Sequence, residues 1–167
     1  MPSLIDPRLI EPQCANLQPI EILHQNTWFS LKSRGDFFTI EYRFVVVLIL
    51  PVVEGNSIVL VEVKRLVLND MHSLEITAGG IEKGESPQEG TLRELYEETG
   101  IKISADRLKK QSPIALFPRD PCLAYIYEAK ISMNEFLEKA QHDEEISQVR
   151  LLNFDDIHKL LVSGEIY

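Results

Sequence analysis

Cysteine is scarce in this chain, with only two in 167 residues, Cys14 and Cys122, and neither has a neighbouring Cys or paired His. That spacing excludes the usual structural zinc patterns, and buried thiols in a reducing compartment are the expectation. Long apolar runs are also missing. The longest, Phe44 to Val53, contains Pro51 and is about half of the roughly 18 residues that a membrane helix needs. The amino terminus lacks the basic-then-apolar order of a secretory signal, so a cytoplasmic protein is expected. Positive charge is short as well: 17 Lys and Arg against 26 Asp and Glu leave a net charge of −9. With no local basic patch, such a field repels nucleic-acid backbones, and an anionic substrate needs a bridging cation.

What is present is enough apolar residue, 44%, to bury the core of one ordinary domain. Residues 1–19 carry Pro2, Pro7, Pro12 and Pro19 and read as an irregular arm. Short strands follow at Ile20–His24, Trp28–Lys32 and Phe37–Tyr42, the last two joined by Ser33-Arg34-Gly35-Asp36, whose Arg-Gly-Asp is a turn and not an adhesion motif. Phe44–Leu50, apolar throughout, reads as a central strand. It is linked to Ile58–Val63 by the hairpin signal Glu54-Gly55-Asn56. Glu75-Ile76-Thr77 leads into a Gly79-Gly80 turn and a helix from Pro87 to about Thr99. Strands at Ile114–Phe117, Leu123–Ala129 and Leu151–Phe154 and helices at Asn134–Ala140 and Asp156–Leu161 complete the pattern. This order predicts an α+β fold, with helices covering a mixed sheet.

The chemistry concentrates between Glu75 and Glu98, where seven glutamates meet only Lys83 and Arg93 as cations. Ser86 caps the helix, Pro87 suits its first turn, Glu89 completes a capping box and Gly100 ends it. At about 100° per residue, Glu94, Glu97 and Glu98 share one face, and Leu92, Leu95 and Thr99 cluster opposite. Like charges three and four residues apart each cost a few tenths of a kcal/mol, so something must neutralise them. Arg93 reaches Glu97 one turn on but cannot balance Glu94, Glu97, Glu98 and Glu85 together. A hard divalent cation in an oxygen shell can, and Mg²⁺ suits carboxylates. Ala78-Gly79-Gly80, small or lacking a side chain, can bring a backbone carbonyl to it. The four histidines, His24, His72, His142 and His158, form no nucleophile arrangement.

Gly79, five residues, Glu85, seven residues, then Arg93-Glu94-Leu95-Tyr96-Glu97-Glu98-Thr99-Gly100-Ile101 resembles the Nudix box at every specified position. The resemblance implies an α/β/α sandwich around a mixed sheet over residues 44–167, with residues 1–43 as an arm and amino-terminal strands of the kind that family dimers exchange. It implies hydrolysis of a nucleoside diphosphate linked to another moiety, with Mg²⁺ or Mn²⁺ as cofactor. Glu94, Glu97, Glu98 and the Ala78 carbonyl would hold the metal; Gly79, Glu85 and Arg93 would support them.

Within the family the ADP-ribose pyrophosphatases are most similar, since Glu75-Ile76-Thr77-Ala78-Gly79 resembles their approach to the box, with Thr77 in place of a proline. That likeness makes Arg65 a phosphate grip, Glu75 a substrate contact, Trp28 an aromatic for stacking on adenine, and a homodimer the expected assembly. It makes Glu97, Glu98 and an acidic-loop glutamate the catalytic groups, Glu145 being favoured over Glu144 by register against Ile146 and Val149. ADP-ribose, cut to AMP and ribose 5-phosphate, is the favoured substrate. Nucleoside diphosphate sugars, dinucleoside polyphosphates and modified nucleoside triphosphates are the alternatives, and a non-catalytic nucleotide sensor is a remote one.

Overall fold

A computed structural model describes residues 14, 16–121 and 123–166. Most of the expected irregular arm, and Cys122, lie outside them; Cys14 is a half-buried free thiol. The chain forms two compact units, one of residues up to Val46 with Ser112–Tyr125, the other of Val47–Gln111 with Ile126 onward.

The first unit carries an antiparallel sheet of β1 (Ile20–Gln25), β2 (Phe29–Arg34) and β3 (Phe37–Tyr42), in that order. Trp28 precedes β2 instead of opening it, because the Asn26 side chain accepts from the Trp28 and Phe29 amides at 2.8 and 2.9 Å and turns the chain there. Arg34, expected within the turn, ends β2 and is buried. Its Nε donates to Glu41 Oε1 at 2.8 Å, Thr39 donates to the same oxygen at 2.8 Å, and Lys32 donates to Oε2 at 2.6 Å. Burial pushes the Glu41 carboxyl up, but these donors outweigh it and hold it below the usual carboxylate range. The strand expected at Ile114–Phe117 reduces to one antiparallel bridge, Ile114 to Ala124.

In the second unit the described strands are β4 (Val46–Val53), β5 (Ser57–Arg65), β6 (Met71–Glu75), β7 (Ala78–Gly80), β8 (Leu108–Lys110), β9 (Tyr125–Ile131) and β10 (Ile146–Asn153). The order runs β10-β5-β4-β9-β8, with β6 on β5 and β7 on β4. Glu54 and Gly55, both left-handed, make the tight hairpin between β4 and β5, closed by Asn56 N donating to Val53 O. β4 pairs with β5 at Val52 and Val53, while Ile49 N donates to Thr77 O at 2.8 Å. Pro51, which has no N–H to give, sits between these two partners. A parallel bridge joins Leu74 to Ile166, making the arrangement mixed.

Among the described residues, three α-helices complete this α+β architecture: α1 (Pro87–Thr99), α2 (Met133–Leu137) and α3 (Phe154–Ser163). β5 is apolar on both faces. Ile58 and Leu60, with Leu74, pack against Ile157 and Leu160 of α3, and the alternate residues Val61 and Val63 pack with Ile146 and Val149. Each such side chain contributes about 1.5–3 kcal/mol on burial. α1 lies against β7 and buries Thr91, Leu95 and Thr99; Leu92, expected on that face, is only half-buried. Among the described residues no helix is long and apolar enough to cross a membrane.

Candidate active site

α1 begins where the sequence predicts. Ser86 Oγ accepts from Glu89 N at 3.2 Å, the Glu89 carboxylate accepts from Ser86 N at 2.8 Å, and Gly100 closes the helix in a left-handed conformation. The helix so placed presents Arg93, Glu94, Glu97 and Glu98 beside the short strand β7.

Arg93 is the hub of this face. Its Nε and Nη2 take both oxygens of Glu85 at 2.8 and 3.0 Å, Nη1 reaches Glu94 and Glu97 at 2.9 Å each, and Nη2 also donates to the Gly80 carbonyl at 2.7 Å. The expected reach to Glu97 is there, but one guanidinium also ties the loop glutamate and β7 to the helix. These contacts raise the Arg93 pKa further above its ordinary value, the Glu85 pair most of all.

Gly79 and Gly80 are strand residues, not a turn. What Gly79 allows is the approach of a side chain: a methyl group there would overlap the Glu94 carboxylate. Glu98 accepts from the Ala78 amide at 3.2 Å. Burial pushes its carboxyl up to about 8, the negative charges of Glu94 and Glu75 add to this, and the Ala78 N–H and Arg65 oppose it. Burial likewise raises Glu94 against the pull of Arg93.

Among the described residues no three carboxylates form a ready-made cation cage, since Arg93 holds two of them. The donor set nonetheless fits a hard divalent cation. It is all oxygen, it lies on one helix face, Gly79 leaves a cradle for Glu94, and Glu98 is half-buried with the Ala78 amide as its hydrogen-bond donor.

Arg65, expected as a phosphate grip, is paired with Glu75 in this structure. Its Nε donates to Glu75 Oε1 at 2.7 Å and its Nη2 to Glu75 Oε2, so Glu75 is the partner of Arg65. The acidic segment Asp143-Glu144-Glu145 runs directly into β10. Ala140 N donates to Gly100 O at 2.9 Å and Asp143 N to Glu97 O at 2.8 Å, which fastens this segment to the end of α1. Gly100 permits that approach, because a methyl there would overlap the Ala140 backbone. Glu144 and Glu145 line a cleft of about 470 Å³ with Val63, Lys64, Arg65, Leu66 and Val67. Trp28 belongs to the first unit, where it is exposed and meets Phe44 edge to face at 6.2 Å.

A NUDIX domain profile matches residues 42–166. The chain belongs to the NUDIX family. It is 34% identical over 126 residues to an ADP-ribose pyrophosphatase of Bacillus subtilis (strain 168), covering 72% of this chain and 64% of that relative, so the match spans less than two thirds of the relative's length. A shorter stretch of 31 residues is 61% identical to an RNA pyrophosphohydrolase of Azorhizobium caulinodans, covering 19% of this chain and 18% of that one. The fold is also that of a crystal structure of an ADP compounds hydrolase, with a TM-score of 0.63 and 19% identity over 86% of this chain and 80% of the other.

Sequence reasoning missed Ser73, buried in β6, whose hydroxyl donates to Glu75. A lone serine in a strand carries no signal of its own. It noted Thr77 only as a substitution. Thr77 is fully buried and its hydroxyl has no described partner, an arrangement that costs free energy. Thr77→Val keeps the shape and removes the stranded group, and is expected to stabilise the protein by about 1 to 2 kcal/mol in thermal or urea unfolding. Destabilisation would instead mean that a buried water serves the hydroxyl.

Proposed function

We propose that this NUDIX domain hydrolyses the pyrophosphate bond of a nucleoside diphosphate linked to another moiety, with ADP-ribose favoured and AMP and ribose 5-phosphate as products. The observation that carries the reading is the Arg93 hub, which gathers Glu85, Glu94 and Glu97 around the Gly80 carbonyl on the face that also holds Glu98. Glu94, Glu97 and Glu98, with the Ala78 carbonyl, would hold Mg²⁺, for which Mn²⁺ can substitute. When bound, the metal offsets phosphate charge and lowers the pKa of water.

The chain's own groups do the rest. Arg93 fixes the glutamates in one geometry, Arg65 offers guanidinium N–H groups to a phosphate, and Glu145, on a segment fastened to α1, takes the proton of the attacking water. The 34% identity to an ADP-ribose pyrophosphatase supports ADP-ribose as substrate. A second copy of this chain is the expected partner for the exposed apolar residues of the first unit, among them Ile22, Trp28, Phe37 and Phe38.

A panel of nucleoside diphosphate compounds with Mg²⁺, the products weighed by mass spectrometry, tests this. ADP-ribose is expected among the best substrates, with activity lost in EDTA and restored by Mg²⁺ or Mn²⁺, and the active species running at about twice the chain mass. Arg65→Ala is expected to lose about 1.5 to 3 kcal/mol in kcat/KM, as for a charge-assisted hydrogen bond. Strong preference for a triphosphate, or unchanged kinetics in Arg65→Ala, would move the protein to another branch of the family.

A further inference from the structure

Arg65, Ser73 and Glu75 lie on one face of the β5–β6 ladder. Arg65 is opposite Met71, Val63 opposite Ser73, and Val61 opposite Glu75, and residues two apart on a strand share a face. To meet Glu75, Arg65 must therefore lean back along the ladder across the Ser73 position. A large side chain there would stand in the way, and serine does not. Serine also takes part: its hydroxyl donates to Glu75 Oε1, the oxygen that accepts from Arg65 Nε, while Glu75 Oε2 accepts from Arg65 Nη2. Ser73 is 1% exposed, so its hydroxyl is held away from bulk water against the half-buried Glu75.

We propose that Ser73 is a positioning residue for Arg65, acting through Glu75, and that the three form a clamp holding the guanidinium ready for a substrate phosphate. The proposal rests on the pyrophosphatase reading above. Two donors on Oε1 and one on Oε2 stop the carboxylate from rotating about its last bond, and the carboxylate in turn fixes the plane of the guanidinium. Nη1 and the outer N–H of Nη2 are not used by Glu75 and are the groups left for an anion. Glu98 and Glu145 are near enough to act on Arg65 electrostatically, which places the clamp beside the box helix and the acidic segment. Burial pushes the Glu75 carboxyl up, yet the hydrogen bonds from Arg65 and Ser73 leave it below its ordinary value, so the pair stays ionised in the absence of substrate. Pre-setting Arg65 lowers the ordering cost when phosphate arrives.

A double-mutant cycle separates positioning from plain packing. The variants are Ser73→Ala, Ser73→Thr, Arg65→Ala and Ser73→Ala with Arg65→Ala, measured for ADP affinity with Mg²⁺ by calorimetry and for KM and kcat with ADP-ribose. Ser73→Ala is expected to weaken ADP binding and raise KM roughly three- to tenfold, the loss of one hydrogen bond, with a smaller change in kcat. Ser73→Thr should recover most of this, and in the Arg65→Ala background Ser73→Ala should add nothing. Fully additive losses, or wild-type ADP affinity in Ser73→Ala while Arg65→Ala is impaired, would overturn the clamp. Coupled losses in ADP binding by an enzyme that leaves ADP-ribose uncut would uphold the clamp and overturn only the substrate reading.

Discussion

Glu98→Gln is expected to fold like the wild type and to lose about 10³-fold or more in kcat, because it keeps the shape at the centre of the site and removes a charge that a metal ion requires. The structural part follows from the surroundings. The Glu98 carboxylate accepts the Ala78 amide at 3.2 Å, and a glutamine oxygen accepts it equally well. Burial already favours the uncharged acid, which glutamine imitates, so unfolding without metal should change little. Stabilisation by added Mg²⁺ should shrink with the activity, since a ligand stabilises only the state that binds it. Steady-state kinetics across a Mg²⁺ titration, paired with thermal melts, reads both. Wild-type kcat at saturating Mg²⁺ would dismiss the metal-holding role of this helix.

Gly79→Ala is expected to cost about 100-fold in activity, because displacing a reacting or metal-holding group by about 1 Å has that effect. The added methyl overlaps the Glu94 carboxylate, the far end of a flexible side chain. Glu94 can therefore swing aside, leaving its contact with Arg93 Nη1, and the fold should survive. The diagnostic result is a near-normal circular dichroism spectrum and melting temperature, with a rise in the Mg²⁺ concentration needed for half-maximal rate. A Gly79→Ala enzyme of full activity would show that Glu94 does not need the place the glycine leaves for it.

The contrast with Gly100 shows why spacing alone does not give the roles of glycines. Both belong to the same motif, but the neighbour at Gly79 is a side chain that can move, and at Gly100 it is the backbone of Ala140. The sequence suggested that the small residues at 78–80 bring a carbonyl to a metal. The structure makes them a strand, in which Gly79 accommodates Glu94 and the Gly80 carbonyl accepts from Arg93. Arg65 shows the same limit. Its type and position pointed to a phosphate, whereas its bidentate bond to Glu75 depends on the β5–β6 register, which no local pattern specifies.

The sequence by itself determined what is local or repeats with a short period. α1 runs from Pro87 to Thr99 as read, because Ser86, Pro87, Glu89 and Gly100 carry their cap and stop chemistry within a few residues. The β4–β5 hairpin follows from Glu54-Gly55-Asn56 for the same reason. The family followed from a spaced set of residues, and spacing is itself a property of sequence. Tertiary structure alone decided which distant groups meet. It tied Arg93 to Gly80, fastened Asp143 to the end of α1, set Ser73 behind Glu75, and turned Arg34 from a turn residue into a buried partner of Glu41. These contacts join residues brought together by strand register and helix docking, whose energy comes from a core shared by the whole unit and not from the residues in contact.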